Sequence, residues 1–279
     1  MSIHKRSHLS KVAINNRSLW KNYGSQVAVI SSVVTLLSFC ISLPENPAWK
    51  LIAPLFFVIL LASLFLFDWW KANHTKSAHL TINKTNVNIE IGNLFSKEGL
   101  KIIGVNNHID LIADDKIISK ATLHGRFILQ HQAEILEIKK AIEDSETLIP
   151  QKEQEKSYEY GSCVLYKDYI LTVLTKFDGQ NRAYTSIQEY IKFWMTFWSQ
   201  IDMLYNSRTI NIPLMGAGQT RFRGIIPKKQ ELLEIALWTL KESGFSNRYS
   251  DKAINFIIHE NDAPEIDFYR IQQLFWCET

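Results

Sequence analysis

Two uncharged, strongly apolar runs near the start of the chain dominate its hydrophobic pattern, at residues 24–43 and 51–67. Because a helix needs about 20 apolar residues to cross a hydrocarbon core of roughly 30 Å, the pattern predicts transmembrane helices at about 24–43 and 49–69. Pro44 and Pro47 in the short connection predict a tight hairpin. A cleaved signal peptide would explain only the first run, and two buried helices of a soluble core are the other alternative.

Beyond a polar linker predicted at 71–78, the pattern alternates between strand-like and helix-like segments. Strands are predicted at residues 85–91 and 101–106, at 163–177 as a pair with a turn near Lys167 and Asp168, up to Leu214, and at 253–259. A polar turn at Asp114 and Asp115 is predicted to open a mostly helical stretch to about Glu143, and further helices are predicted at 186–205, at 228–243 and from about Pro264. This order predicts a three-layer α/β/α domain with a mixed sheet over residues 79–279.

The distribution of charge separates the start of the chain from the rest. Residues 1–23 carry five positive charges and no acidic side chain. Since the whole chain is +3 and Glu45 cancels Lys50, the remainder is about −2, which argues against binding to nucleic acid. Positive charges before the first span and after the second, with a neutral connection, predict that both termini lie in the cytoplasm and the short loop outside.

The apolar runs contain no ionisable residue that would suggest an ion relay, and two spans are too few to enclose a pore. The spans are therefore expected to form an anchor, or a device that disrupts the membrane once several copies assemble. The sequence offers no metal site, because the three cysteines are widely separated and His108, His131 and His259 lack ligand spacing.

Two predicted strands end in segments suited to bind a ligand at the carboxyl edge of the sheet. One ends in Asn106 and Asn107, and the other is followed by Gly216 and Gly218. Glycines let backbone N–H groups approach an anion, although an ordinary turn is the better explanation of this pair taken alone. The segment lacks the third glycine of a dinucleotide fingerprint, and no P-loop is present.

Four segments resemble a known family in order and spacing: GNLF (92–95), GVNN (104–107), DDKIISKATLHGRF (114–127) and IPLMGAGQTRF (212–222). They are similar to a macro domain, above all to the divergent macro domain of Thoeris antiphage effectors. With two membrane spans in front, the architecture resembles the membrane-anchored effector of a type II Thoeris system. The resemblance covers the whole chain, and TLHG together with GAG is its most specific part.

This resemblance implies a non-enzymatic sensor of a nucleotide related to ADP-ribose, in type II systems a histidine conjugate made by a TIR-domain partner. Binding implies self-association at the membrane lipid, disruption of the inner membrane and abortive infection. The ligand-binding residues implied are Asn93, Leu94, Asn106, Asn107, Asp114, Asp115, Lys116, Thr122, Leu123, His124, Gly125, Leu214, Met215, Gly216, Ala217, Gly218, Gln219, Thr220, Arg221 and Phe222.

The chain also departs from the family pattern. Asn93 stands where many macro domains place an adenine-binding acid, and the first diphosphate loop holds only Gly125 where hydrolytic members are rich in glycine. Both departures favour sensing over turnover. An anchored ADP-ribosyl hydrolase and a scaffold that has lost its ligand are the alternatives. Asp114 and Asp115 also fit a helix cap, and His124 also fits a packed side chain.

Overall fold

The computed structural model describes residues 12–40, 47–152, 155–177, 180, 182–245 and 252–274. The helices are α1 (Arg17–Cys40), α2 (Pro47–His74), α3 (Leu123–Gln130), α4 (Ile135–Glu143), α5 (Ile187–Leu204), α6 (Lys229–Glu242) and α7 (Phe268–Leu274). The strands are β1 (Ser77–Ile82), β2 (Thr85–Ile91), β3 (Leu100–Asn106), β4 (Pro150–Lys152), β5 (Glu155–Tyr158), β6 (Cys163–Tyr166), β7 (Tyr169–Phe177), β8 (Ala183–Thr185), β9 (Ile210–Pro213), β10 (Arg221–Phe222) and β11 (Ile254–Ile258). The chain divides into two compact units, one comprising α1, α2 and α7, the other Ser77–Ile266.

In the first unit, α1 and α2 contact each other through polar and aromatic side chains. The Tyr23 hydroxyl donates to the Leu61 carbonyl at 3.1 Å, and Gln26 Nε2 donates to Asp68 Oδ2 at 2.9 Å. Both helices expose large apolar side chains, such as Phe39 and Leu51. Within the part of the chain that the structure describes, α2 alone is long and apolar enough to cross a membrane, by length and composition.

The membrane predictions at the start of the chain have different outcomes. The span predicted at 49–69 lies within α2, whereas the span at 24–43 overlaps α1 and stays a prediction. Residues 1–11 of the basic arm and residues 41–46, which include the start of the connecting loop, lie outside the described residues. The linker predicted at 71–78 is largely taken up by regular structure, because α2 continues to His74 and β1 begins at Ser77.

The second unit is built on a nine-stranded mixed sheet in the order β1-β2-β11-β9-β3-β7-β8-β10, with β6 also paired to β7. Its five central strands, β2, β11, β9, β3 and β7, all run parallel. Antiparallel neighbours flank this core, since β1 pairs with β2 and both β6 and β8 pair with β7. The parallel strands therefore end at one common edge.

Helices cover both faces of this sheet. Ile257 on β11 belongs to an apolar cluster with Phe127 of α3 and Ile138 of α4. The preceding residue, Phe256, contacts the Trp194 ring of α5 at a centroid distance of 6.2 Å. Because successive strand residues point to opposite faces, α3 and α4 lie on one side and α5 on the other. The predicted three-layer α/β/α fold with a mixed sheet is confirmed.

The largest local difference from the sequence prediction lies between β3 and α4. The polar turn predicted at Asp114 and Asp115 is present, but the helical stretch after it begins only at Leu123, so the helix-cap interpretation of the two aspartates is wrong. Asp114 Oδ1 accepts hydrogen bonds from the N–H groups of Lys116 and Ile117 at 2.8 and 2.7 Å. These bonds fold the segment into a turn that competes with the helix.

Candidate functional site

A cleft of about 870 Å³ opens at the carboxyl edge of the parallel strands. It lies along the ends of β11, β9, β3 and β7, where the general rule for open α/β sheets expects a ligand. The structure brings together twelve predicted site residues in its lining: Asn106, Thr122, Leu123, His124, Leu214, Met215, Gly216, Ala217, Gly218, Gln219, Thr220 and Arg221.

The N-terminus of α3 forms one wall of the cleft. Thr122 caps the helix, and its Oγ1 accepts a hydrogen bond from the Gly125 N–H at 3.0 Å. A Cβ at Gly125 would lie 2.2 Å from the Ser119 carbonyl oxygen, so glycine lets the first turn pack onto the preceding loop. The leading N–H groups of a helix lack partners within the helix and sit at its positive end. This wall therefore suits an anion.

The glycine loop after β9 forms a second wall. Gly216 has φ +80°, in the left-handed region that favours glycine, and a Cβ there would lie 3.2 Å from Phe222 Cζ. A Cβ at Gly218 would meet no atom within 4 Å. The Tyr190 hydroxyl donates to the Met215 carbonyl at 2.9 Å, which fixes the loop to α5. Gly216 thus shapes the turn, whereas Gly218 leaves open space beside its backbone.

His124 lines the cleft as a neutral imidazole. Burial lowers its pKa to about 4, and a hydrogen bond to the Asp110 backbone opposes that shift only in part. Its Nε2 is buried and has no hydrogen-bond partner among the described residues. An imidazole that stays uncharged near pH 7 supplies little proton-transfer chemistry but keeps an unused polar atom beside the cleft.

Asn106 and Asn107 have structural roles at the end of β3. Asn106 Nδ2 donates to Asp110 Oδ2 at 2.5 Å, and the Asp110 N–H donates to Asn106 Oδ1 at 3.0 Å. The Asn107 carbonyl accepts from the Tyr158 N–H at 2.8 Å. The paired Asn106 amide holds the loop that leads towards α3, and Asn106 alone of the two lines the cleft.

Eight predicted residues fall outside the cleft lining: Asn93, Leu94, Asn107, Asp114, Asp115, Lys116, Gly125 and Phe222. Asn93 caps a short 3-10 helix, because its Oδ1 accepts from the Phe95 N–H at 3.2 Å. Asp115 accepts from the Lys120 N–H at 2.8 Å, within the turn that replaces the predicted helix. Phe222 packs its ring against Tyr190, beneath the glycine loop.

The sequence prediction missed lining residues contributed chiefly by strand ends and by the segment before α3. They are Gly104, Val105, Ile117, Ile118, Ser119, Ala121, Arg126, Leu174, Thr175, Phe177, Arg182, Ala183, Pro213, Ile257, His259 and Asp262. The rule that ligands bind at the carboxyl ends of strands pointed to β3 and β9, and it applies equally to β7 and β11. The lining residues at the ends of β7 and β11 could therefore have been predicted from the sequence. The charged side chains among the lining residues are Arg126, Arg182, Arg221 and Asp262.

Neither a metal nor a reactive thiol is suggested by the described side chains. They contain no group of three or more His, Cys, Asp or Glu residues that could hold a metal ion. Cys163 is buried, and burial raises the pKa of its thiol to about 12, so the sulfur stays protonated and unreactive. The chemistry of the cleft is therefore that of its backbone N–H groups, arginines and one carboxylate.

A three-layer α/β/α domain with a helix N-terminus and a glycine turn lining one cleft fits the macro-domain class. A family model described as "Thoeris protein ThsA, Macro domain" matches residues 87–259. The chain belongs to this Thoeris ThsA macro-domain family. It is 29% identical over 259 residues to a Thoeris protein ThsA of Bacillus amyloliquefaciens (strain Y2), across 88% of this chain and 86% of that protein.

Solved macrodomain structures are also similar to the chain. One is the Oceanobacillus iheyensis macrodomain with ADP, at 14% identity and a TM-score of 0.40, across 74% of this chain and 98% of that one. Another is a mutant of the Oceanobacillus iheyensis macrodomain, at 14% identity and a TM-score of 0.41, across 74% and 96%.

Proposed function

We propose that this protein is an antiphage effector of the bacterial inner membrane whose cytoplasmic macro domain senses a nucleotide signal. The signal is an ADP-ribose derivative, a histidine conjugate, made by a TIR-domain partner. Binding favours oligomers of the effector, which disrupt the membrane and cause abortive infection. Family membership supports the broader part of this function, namely antiphage defence and binding of an ADP-ribose-type nucleotide.

The observation that carries the proposal is the pairing of two anion-binding backbones across one cleft. The N-terminus of α3, capped by Thr122, and the Gly216–Gly218 loop both line it, and at Gly218 the backbone has open space beside it. Arg126 and Arg221 line the same cleft and add positive charge. A diphosphate is the ligand group that uses both walls at once.

The titratable groups of the cleft support sensing rather than turnover. His124 is neutral at physiological pH, with its pKa lowered to about 4 by burial, so it is a poor general acid. Asp262 is the one carboxylate among the described lining residues, and it follows β11, one strand beyond the glycine loop that follows β9. Hydrolysis needs an acid or base close to the scissile bond, whereas recognition needs only the donors already described.

The membrane output rests on the apolar helices of the first unit. α2 has the length and composition of a span, and none of its apolar segment is buried within the protein. α1 exposes Val33 and Leu36 as well as Phe39, which suits lipid or a second copy. A ligand can drive assembly only through tighter binding to the assembled state than to the single chain.

The proposal is tested with the full chain in lipid nanodiscs, by thermal unfolding with and without ADP-ribose or its histidine conjugate. At about 100 times Kd, a ligand stabilises the native state by about 2.7 kcal/mol, which raises Tm by roughly 5–10 °C for a domain of this size. Absence of any shift with both nucleotides would refute the proposal. Chromatography of the nucleotide after incubation separates sensing, which returns it intact, from hydrolysis, which does not.

A further inference from the structure

The short helix α7 belongs to the same compact unit as the two apolar helices. Its Tyr269 hydroxyl accepts a hydrogen bond from Asn22 Nδ2 of α1 at 2.8 Å. Burial raises the pKa of Tyr269, and the negative charge of Asp68 on α2 adds to that shift. The hydroxyl therefore lies where α7 meets both α1 and α2.

Apolar side chains extend this contact. The Tyr269 ring packs against a small buried cluster formed by Val12, by Leu19 of α1 and by Ala72 of α2. The Trp69 indole Nε1 donates to the Val12 carbonyl at 2.9 Å, which fixes the segment before α1 against α2. The cluster thus joins the start of α1 to the end of α2. Through Tyr269, α7 closes this end of the helix pair.

The chain also leads directly from the cleft to α7. Within the described residues, it passes between the two units at residues 76–77 and 266–267. The first passage enters β1, an edge strand that contributes none of the residues lining the cleft. The second leaves the segment after β11, in which Asp262 lines the cleft. The shortest covalent route from the cleft to the first unit therefore ends in α7.

A single lysine braces the segment between Asp262 and α7. Lys229 Nζ lies 2.8 Å from Asp262 Oδ1 and 2.8 Å from Glu265 Oε1, at the two ends of the short 3-10 helix Ala263–Glu265. Ile266, which follows, is almost completely buried. Because both carboxylates are held by one ammonium, a displacement of Asp262 is passed on to Glu265 and so towards α7.

We propose that α7 is an autoinhibitory latch, which holds α1 and α2 in a single-chain bundle until nucleotide bound in the cleft displaces it. This inference rests on the proposed function, because it takes assembly of the apolar helices as the output. Both helices expose large apolar side chains, such as Leu36 and Leu55, so a restraint is needed to prevent assembly without the signal. A neutral hydrogen bond beside a small apolar cluster is a restraint that a ligand can shift.

The test uses the full chain in dye-filled vesicles of phosphatidylethanolamine and phosphatidylglycerol. Tyr269→Phe removes the hydroxyl but keeps the ring, so the apolar cluster stays intact. A neutral hydrogen bond changes an equilibrium constant by about fivefold, so dye leakage without nucleotide should rise by about fivefold. The concentration of the histidine conjugate of ADP-ribose that gives half-maximal leakage should fall by a similar factor. Asn22→Ala removes the same bond, and the double variant should add no further change.

Tyr23→Phe is the matched control, because it removes a hydroxyl that bonds to the Leu61 carbonyl of α2 and not to α7. It should leak like the wild type, and leakage equal to that of Tyr269→Phe would contradict a role specific to α7. Wild-type leakage in Tyr269→Phe, or additive effects of Tyr269→Phe and Asn22→Ala, would overturn the latch and leave the proposed function standing. Failure of the wild type to leak with the nucleotide would refute the proposed membrane output and the latch together.

Discussion

Gly218→Val separates ligand binding from folding more cleanly than any other change in the glycine loop. A Cβ at this position meets no atom within 4 Å, so the folded state has room for the new side chain. We expect the free energy of unfolding to change by less than about 1 kcal/mol, as at other loop positions without contacts. The valine methyl groups would, however, occupy the space through which a phosphate approaches the backbone.

The expected loss of affinity follows from the backbone contact that is blocked. A hydrogen bond to a charged group contributes about 1.5–3 kcal/mol, which corresponds to roughly 10- to 150-fold weaker binding of ADP-ribose. The assay is titration calorimetry of the full chain in nanodiscs, with Tm measured on the same samples. If Gly218→Val bound ADP-ribose as tightly as the wild type, the diphosphate could not lie on this loop.

Gly216→Ala is the matched comparison. Gly216 has φ +80°, where an L-residue costs about 1–2 kcal/mol, and its Cβ would lie 3.2 Å from Phe222 Cζ. We expect Tm to fall by about 2–8 °C for a domain of this size. Gly216→Ala should therefore lower stability, whereas Gly218→Val should weaken ligand binding. An unchanged Tm in Gly216→Ala would contradict the conformational argument.

Three further predictions concern His124 of α3, Asn106 at the end of β3, and the membrane segment. Burial lowers the pKa of His124 from 6.5 to about 4, so between these pH values the unfolded chain binds a proton that the native state does not. The free energy of unfolding should therefore fall by about 3 kcal/mol as the pH drops from 6.5 to 4. In urea unfolding measured across this pH range, His124→Gln should remove that fall. Asn106→Ala deletes both bonds to Asp110 and should cost about 1–3 kcal/mol in urea unfolding, whereas Asn86→Ala, on an exposed strand position, should change stability by less than about 0.5 kcal/mol. Ile59→Lys near the middle of α2 should cost about 2.5–3.5 kcal/mol of insertion and expose α2 to protease added to membranes. Unchanged protection of α2 would contradict a span there.

The periodicity of the sequence predicted the elements that carry strong apolar patterns. α5 begins where expected, because Ser186 and Glu189 form a reciprocal capping box and apolar residues recur along one face. β6 and β7 turn at Lys167 as expected, and the Lys167 backbone adopts φ 52°. These features are local, so a short window of sequence contains the information that specifies them.

Features set by tertiary contacts were less accessible from the sequence. The sequence indicated a turn at Asp114 and Asp115 but not its extent, since the two side chains bind backbone N–H groups as far as Lys120 and the helix begins only at Leu123. The two-residue strand β10 has no pattern of its own and exists because Arg221 and Phe222 pair with β8. Asp262 joins the cleft because β11 lies beside β9, an adjacency that depends on strand order.

The hydrogen bond from the Tyr190 hydroxyl to the Met215 carbonyl has an optical consequence. Tyr190 meets Trp194 edge to face at a centroid distance of 6.0 Å, and Trp194 stacks on Trp198 at 5.3 Å. Both indoles are almost completely buried, so their emission is sensitive to small changes in packing. A shift of the glycine loop would alter these ring contacts. Intrinsic tryptophan fluorescence should therefore follow occupancy of the cleft in real time, with no attached dye.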